Sequence, residues 1–249
     1  MVRLTLAMRN GKVTEHIKAT LESLNFKVVE ELNQFFSETF LVDSTEINYG
    51  HSTRFGILFE AMWGYYMKKE LESFGHSLKW ICKNQYNDFY ITDDKENFVC
   101  NIEVKTLCVN SDESKSHFDA IQSELLNTDL LFVSAWKWNI NNTSMSPYVT
   151  KSEYFLSKNI AKMRDDLHIL RGGSFINNEP INASGFRERI TGPENNKPLK
   201  ISHMSNFGGL VRMLGTKSKN SKQKLEEYYQ HDAECKNYIN LVKYVKTFN

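Results

Sequence analysis

Apolar residues recur at helical spacing in the first third of the chain and then switch to alternation, a change that predicts helices feeding into a sheet. The stripe Ile17, Leu21 and Leu24 predicts a helix over 13–24, and Phe26, Val28 and Val29 then read as a short strand. A longer stripe runs through Phe55, Leu58, Phe59, Met62, Trp63, Tyr66, Met67 and Leu71. Ser52 or Thr53 is placed to cap that helix and Gly75 to stop it. From His76 the period becomes two, with strands predicted around Leu78 to Cys82, over 86–92 and over 98–107. A third helix is expected from Ser111 to Ser114 onward through Phe118, Ile121, Leu125 and Leu126. The run Leu130-Leu131-Phe132-Val133 reads as a buried strand closed by Trp136 and Trp138.

Beyond Asn139 the pattern is less regular. A strand or turn is expected over 148–154, a helix ending near Leu170 at Arg171-Gly172-Gly173, a polar surface loop over 177–200, and a last helix after the basic run Lys217, Lys219, Lys222 and Lys224. Helix, antiparallel strands, helix and strand make an α/β order. The expectation is a single domain over 1–249, with a core of about 52–138 and a mostly helical and loop elaboration over 139–249.

Composition narrows the function classes by exclusion. With 31 Lys+Arg against 30 Asp+Glu there is no global basic field, so any nucleic-acid binding must come from local patches. Cys82, Cys100, Cys108 and Cys235 form no C-x-x-C pair and no zinc-ligand cluster, which argues for a reduced, cytoplasmic protein. No apolar run is long enough to span a bilayer, and Arg3, Arg9, Lys12 and Glu15 spoil the start as a secretory signal, so no membrane association is expected. The histidines are dispersed and outside any His-Glu-x-x-His motif, and neither Gly172-Gly173 nor Gly208-Gly209 carries the lysine of a phosphate-binding loop.

The pattern that carries chemistry is acidic-x-Lys, and it recurs as Asp93-x-Lys95, Glu103-x-Lys105, Glu113-x-Lys115 and Glu234-x-Lys236. Spacing cannot choose among these copies, but context can. Only Glu103-x-Lys105 lies in a strand-like run, where Phe98, Cys100, Ile102 and Val104 alternate with Val99, Asn101, Glu103 and Lys105. Setting Asp93 opposite Phe98 in a hairpin puts Ile91 across from Cys100 and Phe89 across from Ile102. The same register brings Asp88 across from Glu103. Facing carboxylates repel unless a cation or a proton intervenes, and a divalent metal such as Mg²⁺ resolves the repulsion with oxygen ligands. Lys105 then stands where it would hold or deprotonate an attacking water and offset charge on a phosphate.

In these residues and their order the sequence resembles the PD-(D/E)XK nuclease superfamily, in style the type II restriction endonucleases, over about Ser52 to Trp138. The resemblance implies a restriction-endonuclease-like mixed β-sheet flanked by helices. It makes Asp88 and Glu103 metal ligands and Lys105 the catalytic lysine. Many members also carry a glutamate on the helix before the hairpin, and Glu60 is the matching candidate. Asn87 departs from the motif, standing where the family has proline. The implied activity is Mg²⁺-dependent, sequence-specific cleavage of double-stranded DNA by a homodimer, with a cognate DNA methyltransferase as genetic partner. The region 139–249 would then supply recognition and dimerisation surfaces, with Arg171, Arg187, Arg189, Lys197 and Lys200 on its loops. The alternatives are another nuclease of the superfamily, in repair, recombination or junction resolution, and a non-catalytic DNA-binding protein whose hairpin charges form only a salt bridge.

Overall fold

The computed structural model describes residues 2–39, 42–43, 52–81, 86–109, 118, 120–141, 144–177, 179–181, 214 and 218–247. Two compact units emerge, the first made of Met1–Asp112, Leu126–Ser157 and Lys243–Asn249, the second of Glu113–Leu125 and Lys158–Val242.

The first unit is α/β. Its helices α1 (Val2–Thr39) and α2 (Ser52–Glu72) accompany strands β1 (Val42–Asp43), β2 (Ser77–Trp80), β3 (Phe89–Thr92), β4 (Phe98–Cys108), β5 (Leu130–Asn141) and β6 (Ser144–Leu156). The strands form one mixed sheet in the order β1-β6-β5-β4-β3-β2, antiparallel except for the parallel β4–β5 pair. The hairpin β3–β4 therefore lies inside the sheet, as its half-buried charged face requires. The sheet also continues past Trp138, because β6 pairs along β5, so 144–156 belongs with the core strands.

The short strand expected at Phe26, Val28 and Val29 is instead part of α1, which continues to Thr39. Val28, Leu32 and Phe36 extend the stripe of Ile17, Leu21 and Leu24, and all six are buried while Phe26 points outward. Burial of that continuous face outweighs the strand preference of two valines. α1 also repairs the sheet. Where the β5–β6 register shifts between Ala135 and Trp136, Asn33 donates to the Val149 carbonyl at 3.0 Å and accepts from the Val149 N–H at 2.7 Å. Its amide thus satisfies backbone groups that the ladder would otherwise leave open.

α2 ends as its sequence predicts. Gly75 has φ 71°, its N–H donates to the Glu72 carbonyl, and the His76 N–H donates to the Leu71 carbonyl, a Schellman closure that glycine permits without strain. Upstream, Gly64 lets α2 approach the sheet, since a Cβ there would lie 2.5 Å from the Phe89 ring. Between helix and sheet sit Phe59, Trp63, Phe89 and Phe132, with the Trp63 and Phe132 rings stacked at 5.0 Å and Phe89 edge-on to Trp63 at 5.2 Å.

The second unit holds α3 (Ser157–Leu170), the hairpin β7 (Ser174–Ile176) with β8 (Glu179–Ile181), α4 (Lys219–His231) and most of α5 (Ala233–Lys246). The helix expected through Phe118 to Leu126 is reduced, among the described residues, to a 3-10 turn at Gln122–Glu124. Its buried apolar residues are present, but its backbone is taken. The Phe118 and Ala120 carbonyls accept from the buried Arg164 guanidinium, and the Gln122 N–H donates to Asp165. Those are the groups an α-helix would have paired. The single last helix is two, because Asp232 ends α4 and its carboxylate accepts from the Cys235 N–H to start α5. Part of the loop expected over 177–200 forms β8, and Arg187, Arg189, Lys197 and Lys200 lie outside the described residues. No helix among the described residues is long and apolar enough to cross a membrane.

Candidate active site

The four acidic-x-Lys copies have different fates. Asp93 clamps the β3–β4 turn, accepting from the Lys95 and Asn97 N–H groups and from the Asn97 side chain. The Asn97 amide holds its carboxyl below the usual range. Glu234-x-Lys236 lies within α5, where residues two apart do not share a face. Glu113-x-Lys115 is outside the described residues. Among the described copies, only Glu103 and Lys105 sit on a strand, side by side on one face of β4.

The inner register matches the sequence expectation, with Phe89 facing Ile102 and Ile91 facing Cys100. The turn does not. Thr92, rather than Asp93, faces Phe98, and a register shift beyond Ile91 absorbs the extra residue on β4. The pairing ends at Phe89, leaving Asp88 just outside the ladder with its N–H donating to the Ile102 carbonyl at 3.1 Å.

From there the Asp88 carboxylate reaches across, its Oδ2 accepting from the Val104 N–H at 2.7 Å and lying 4.0 Å from Lys105 Nζ. Lys105 Nζ sits 2.5 Å from Glu103 Oε1, and Glu103 Oε2 accepts from the Asn87 N–H at 2.9 Å. The Glu103 side chain is only 9% exposed and that of Asp88 15%, so both carboxylates are largely withdrawn from water. Burial, reinforced by Asp88, pushes the Glu103 carboxyl up to about 7 despite Lys105 and the Asn87 N–H. Burial likewise raises Asp88, against Lys105 and the Val104 N–H. For Lys105, burial disfavours the ammonium, but Glu103, Asp88 and Glu60 outweigh it and raise its pKa. The lysine is thus a fixed positive charge.

Glu60 belongs to this neighbourhood electrostatically. Burial and then Asp88 raise its pKa, while Trp80 and Lys105 lower it. One carboxylate oxygen is already engaged, accepting from the Trp80 indole at 2.7 Å. Among the described residues, no group of three or more His, Cys, Asp or Glu converges closely enough to hold a metal ion. The structure therefore brings together two carboxylates and one lysine, with Glu60 alongside.

Sequence reasoning missed a supporting chain behind the site. Asn87 Nδ2 donates to Asn101 Oδ1 at 2.8 Å, and Asn101 Nδ2 donates to Asp129 Oδ1 at 2.9 Å. Asp129 is 1% exposed, and its second oxygen accepts from the Leu126 N–H. The only trace of this in the sequence is asparagine where the resembled motif has proline. Compared with known proteins, the chain matches no protein-family model and no curated protein with significance.

Proposed function

We propose that this chain is a Mg²⁺-dependent endonuclease of the PD-(D/E)XK superfamily and restriction-endonuclease-like fold that cuts double-stranded DNA at specific sequences. The observation that carries this reading is the meeting of Asp88, Glu103 and Lys105 at the open end of an interior hairpin. A mixed sheet in which β4 runs parallel to β5 supports it.

The donor set fits a hard divalent cation. Two carboxylates raised by burial gain from a nearby positive charge, and Mg²⁺ is commonly held by one or two protein carboxylates with water and phosphate completing its shell. Asp88 and Glu103 would hold it. Mg²⁺, when bound, supplies Lewis-acid charge at a phosphoryl oxygen and lowers the pKa of its water. Lys105, kept protonated by Glu103 and Asp88, donates hydrogen bonds and positive charge to a phosphate oxygen or to an attacking water rather than removing a proton. Glu60 orients through the Trp80 indole at the rim of the same charges. Two copies related by a twofold axis would serve the two strands of a palindromic site, the 139–249 region outside β6 providing recognition and dimer surfaces. The biological setting would be a cytoplasmic restriction system with a DNA methyltransferase protecting the host sites.

Plasmid DNA incubated with the wild-type chain and Mg²⁺ should yield discrete fragments, abolished by EDTA and by Asp88→Ala or Glu103→Ala. Cleavage of branched DNA alone would make it a junction-resolving member of the superfamily. DNA binding without cleavage under Mg²⁺ or Mn²⁺ would leave the hairpin charges structural.

A further inference from the structure

Asn87 has a backbone φ of 66°, in the left-handed region that costs most L-residues energy and that asparagine tolerates better than most. In that conformation its N–H donates to Glu103 Oε2 at 2.9 Å, while Lys105 occupies the other oxygen, Oε1. Both oxygens of Glu103 are thereby held, one by the backbone and one by the lysine. The Asn87 side chain donates to Asn101 Oδ1 at 2.8 Å, and Asn101 is fastened to the buried Asp129. A proline at this position could supply neither the positive φ nor the N–H. The departure from the resembled motif therefore follows from this local geometry.

We propose that Asn87 is a positioning residue of the Asp88, Glu103 and Lys105 site, its left-handed backbone aiming an N–H at Glu103 and its side chain tethered through Asn101 to Asp129. The inference rests on the reading of Asp88 and Glu103 as holders of a divalent cation. Its physical content is orientation. A carboxylate pinned at one oxygen by a backbone N–H keeps its plane fixed, and loss of such an outer partner typically costs about 10–100-fold in metal affinity.

The test is calorimetric titration of Mn²⁺ into the full chain, as wild type, Asn87→Ala, Asn87→Gly, Asn101→Ala and Asp88→Asn, with thermal melts of each. Asn87→Ala removes the tether and disfavours the positive φ, and it should weaken Mn²⁺ binding about tenfold or more. Asn87→Gly has no tether either but accepts the positive φ and retains the N–H, so binding should return to within about threefold of wild type. Asn101→Ala should fall between them. Should Asn87→Ala fail to fold, the glycine and Asn101 variants still decide the matter.

Asn87→Ala binding as tightly as wild type, or Asn87→Gly and Asn101→Ala both as weak as Asp88→Asn, would overturn the positioning role while leaving the cation site intact. A wild type that binds no Mn²⁺, or an Asp88→Asn variant that binds it undiminished, would overturn the cation reading itself and this inference with it.

Discussion

The two faces of β4 are built on opposite principles. One carries Cys100, Ile102 and Val104 into an aromatic layer of Phe59, Trp63, Phe89 and Phe132, where each ring has several neighbours. The other carries Glu103 and Lys105, whose placement depends on a handful of directed contacts with Asp88 and Asn87. The apolar face is held by area and is tolerant in its details, because dispersion and burial are non-directional. The charged face is held by direction. A carboxylate out of water without a partner is costly, so each contact there matters singly.

The largest effect should come from breaking the apolar face. Phe132 is fully buried and its ring lies 4.5 Å from Tyr154 and 5.0 Å from Trp63. Phe132→Ala should cost about 3–5 kcal/mol in a urea melt. If the two faces are independent, cleavage by the molecules still folded should remain near wild type. A proportionally larger loss of cleavage would show that the faces are coupled.

Lys105→Ala should act on the other face, lowering DNA cleavage about 10²–10³-fold, the scale of losing one charge-stabilising donor. It also leaves Glu103 and Asp88 without their cation, and both then favour protonation further. Its metal-free melting deficit relative to wild type should accordingly be larger at pH 8 than at pH 5. An equal deficit at the two pH values would remove the ion pair from the account.

Gly64→Ala tests how the layers meet, since the added Cβ would collide with the Phe89 ring, the residue next to Asp88. The expected cost is about 1–3 kcal/mol of stability. A melting temperature equal to wild type would show that α2 can retreat from the sheet.

The smallest effect is a difference in slope with pH. The Glu103 carboxyl is raised in the fold from its usual 4.5 to about 7, so the folded chain binds that proton more tightly than the unfolded chain does. Its contribution to stability is therefore fully present below about pH 4.5 and is lost as pH rises through about 7. Glu103→Gln lacks this titration. Metal-free wild type should lose stability relative to the variant between pH 5 and 8, as read by paired denaturant melts, and parallel pH curves would refute the raised value.

Much of the hairpin was legible because side chains alternate strictly along a strand. The apolar set at Phe89, Ile91, Cys100 and Ile102 permits one inner register, and that register carries Asp88 toward Glu103 and Lys105 whatever the turn does. The turn lies one residue from where the hydrophobic pattern places it, since a register shift leaves no mark in that pattern. At Val28 and Val29 the local strand preference yields to the helical stripe that continues to Phe36. At Phe118 to Leu126 the apolar spacing was helical, but Arg164 and Asp165, distant in sequence, claimed the backbone groups.

The sequence by itself thus determined which residues share a face, because the period of the chain dictates where each Cβ points. It also singled out Glu103-x-Lys105, which lies on β4. Only the tertiary structure decided the left-handed turn at Asn87, the engagement of Glu60 by Trp80, and the support of Asn101 by Asp129. Those contacts join residues whose sequence separation carries no periodic signal, and the Asn101–Asp129 contact exists because the buried Asp129 must find partners wherever the packed chain brings them.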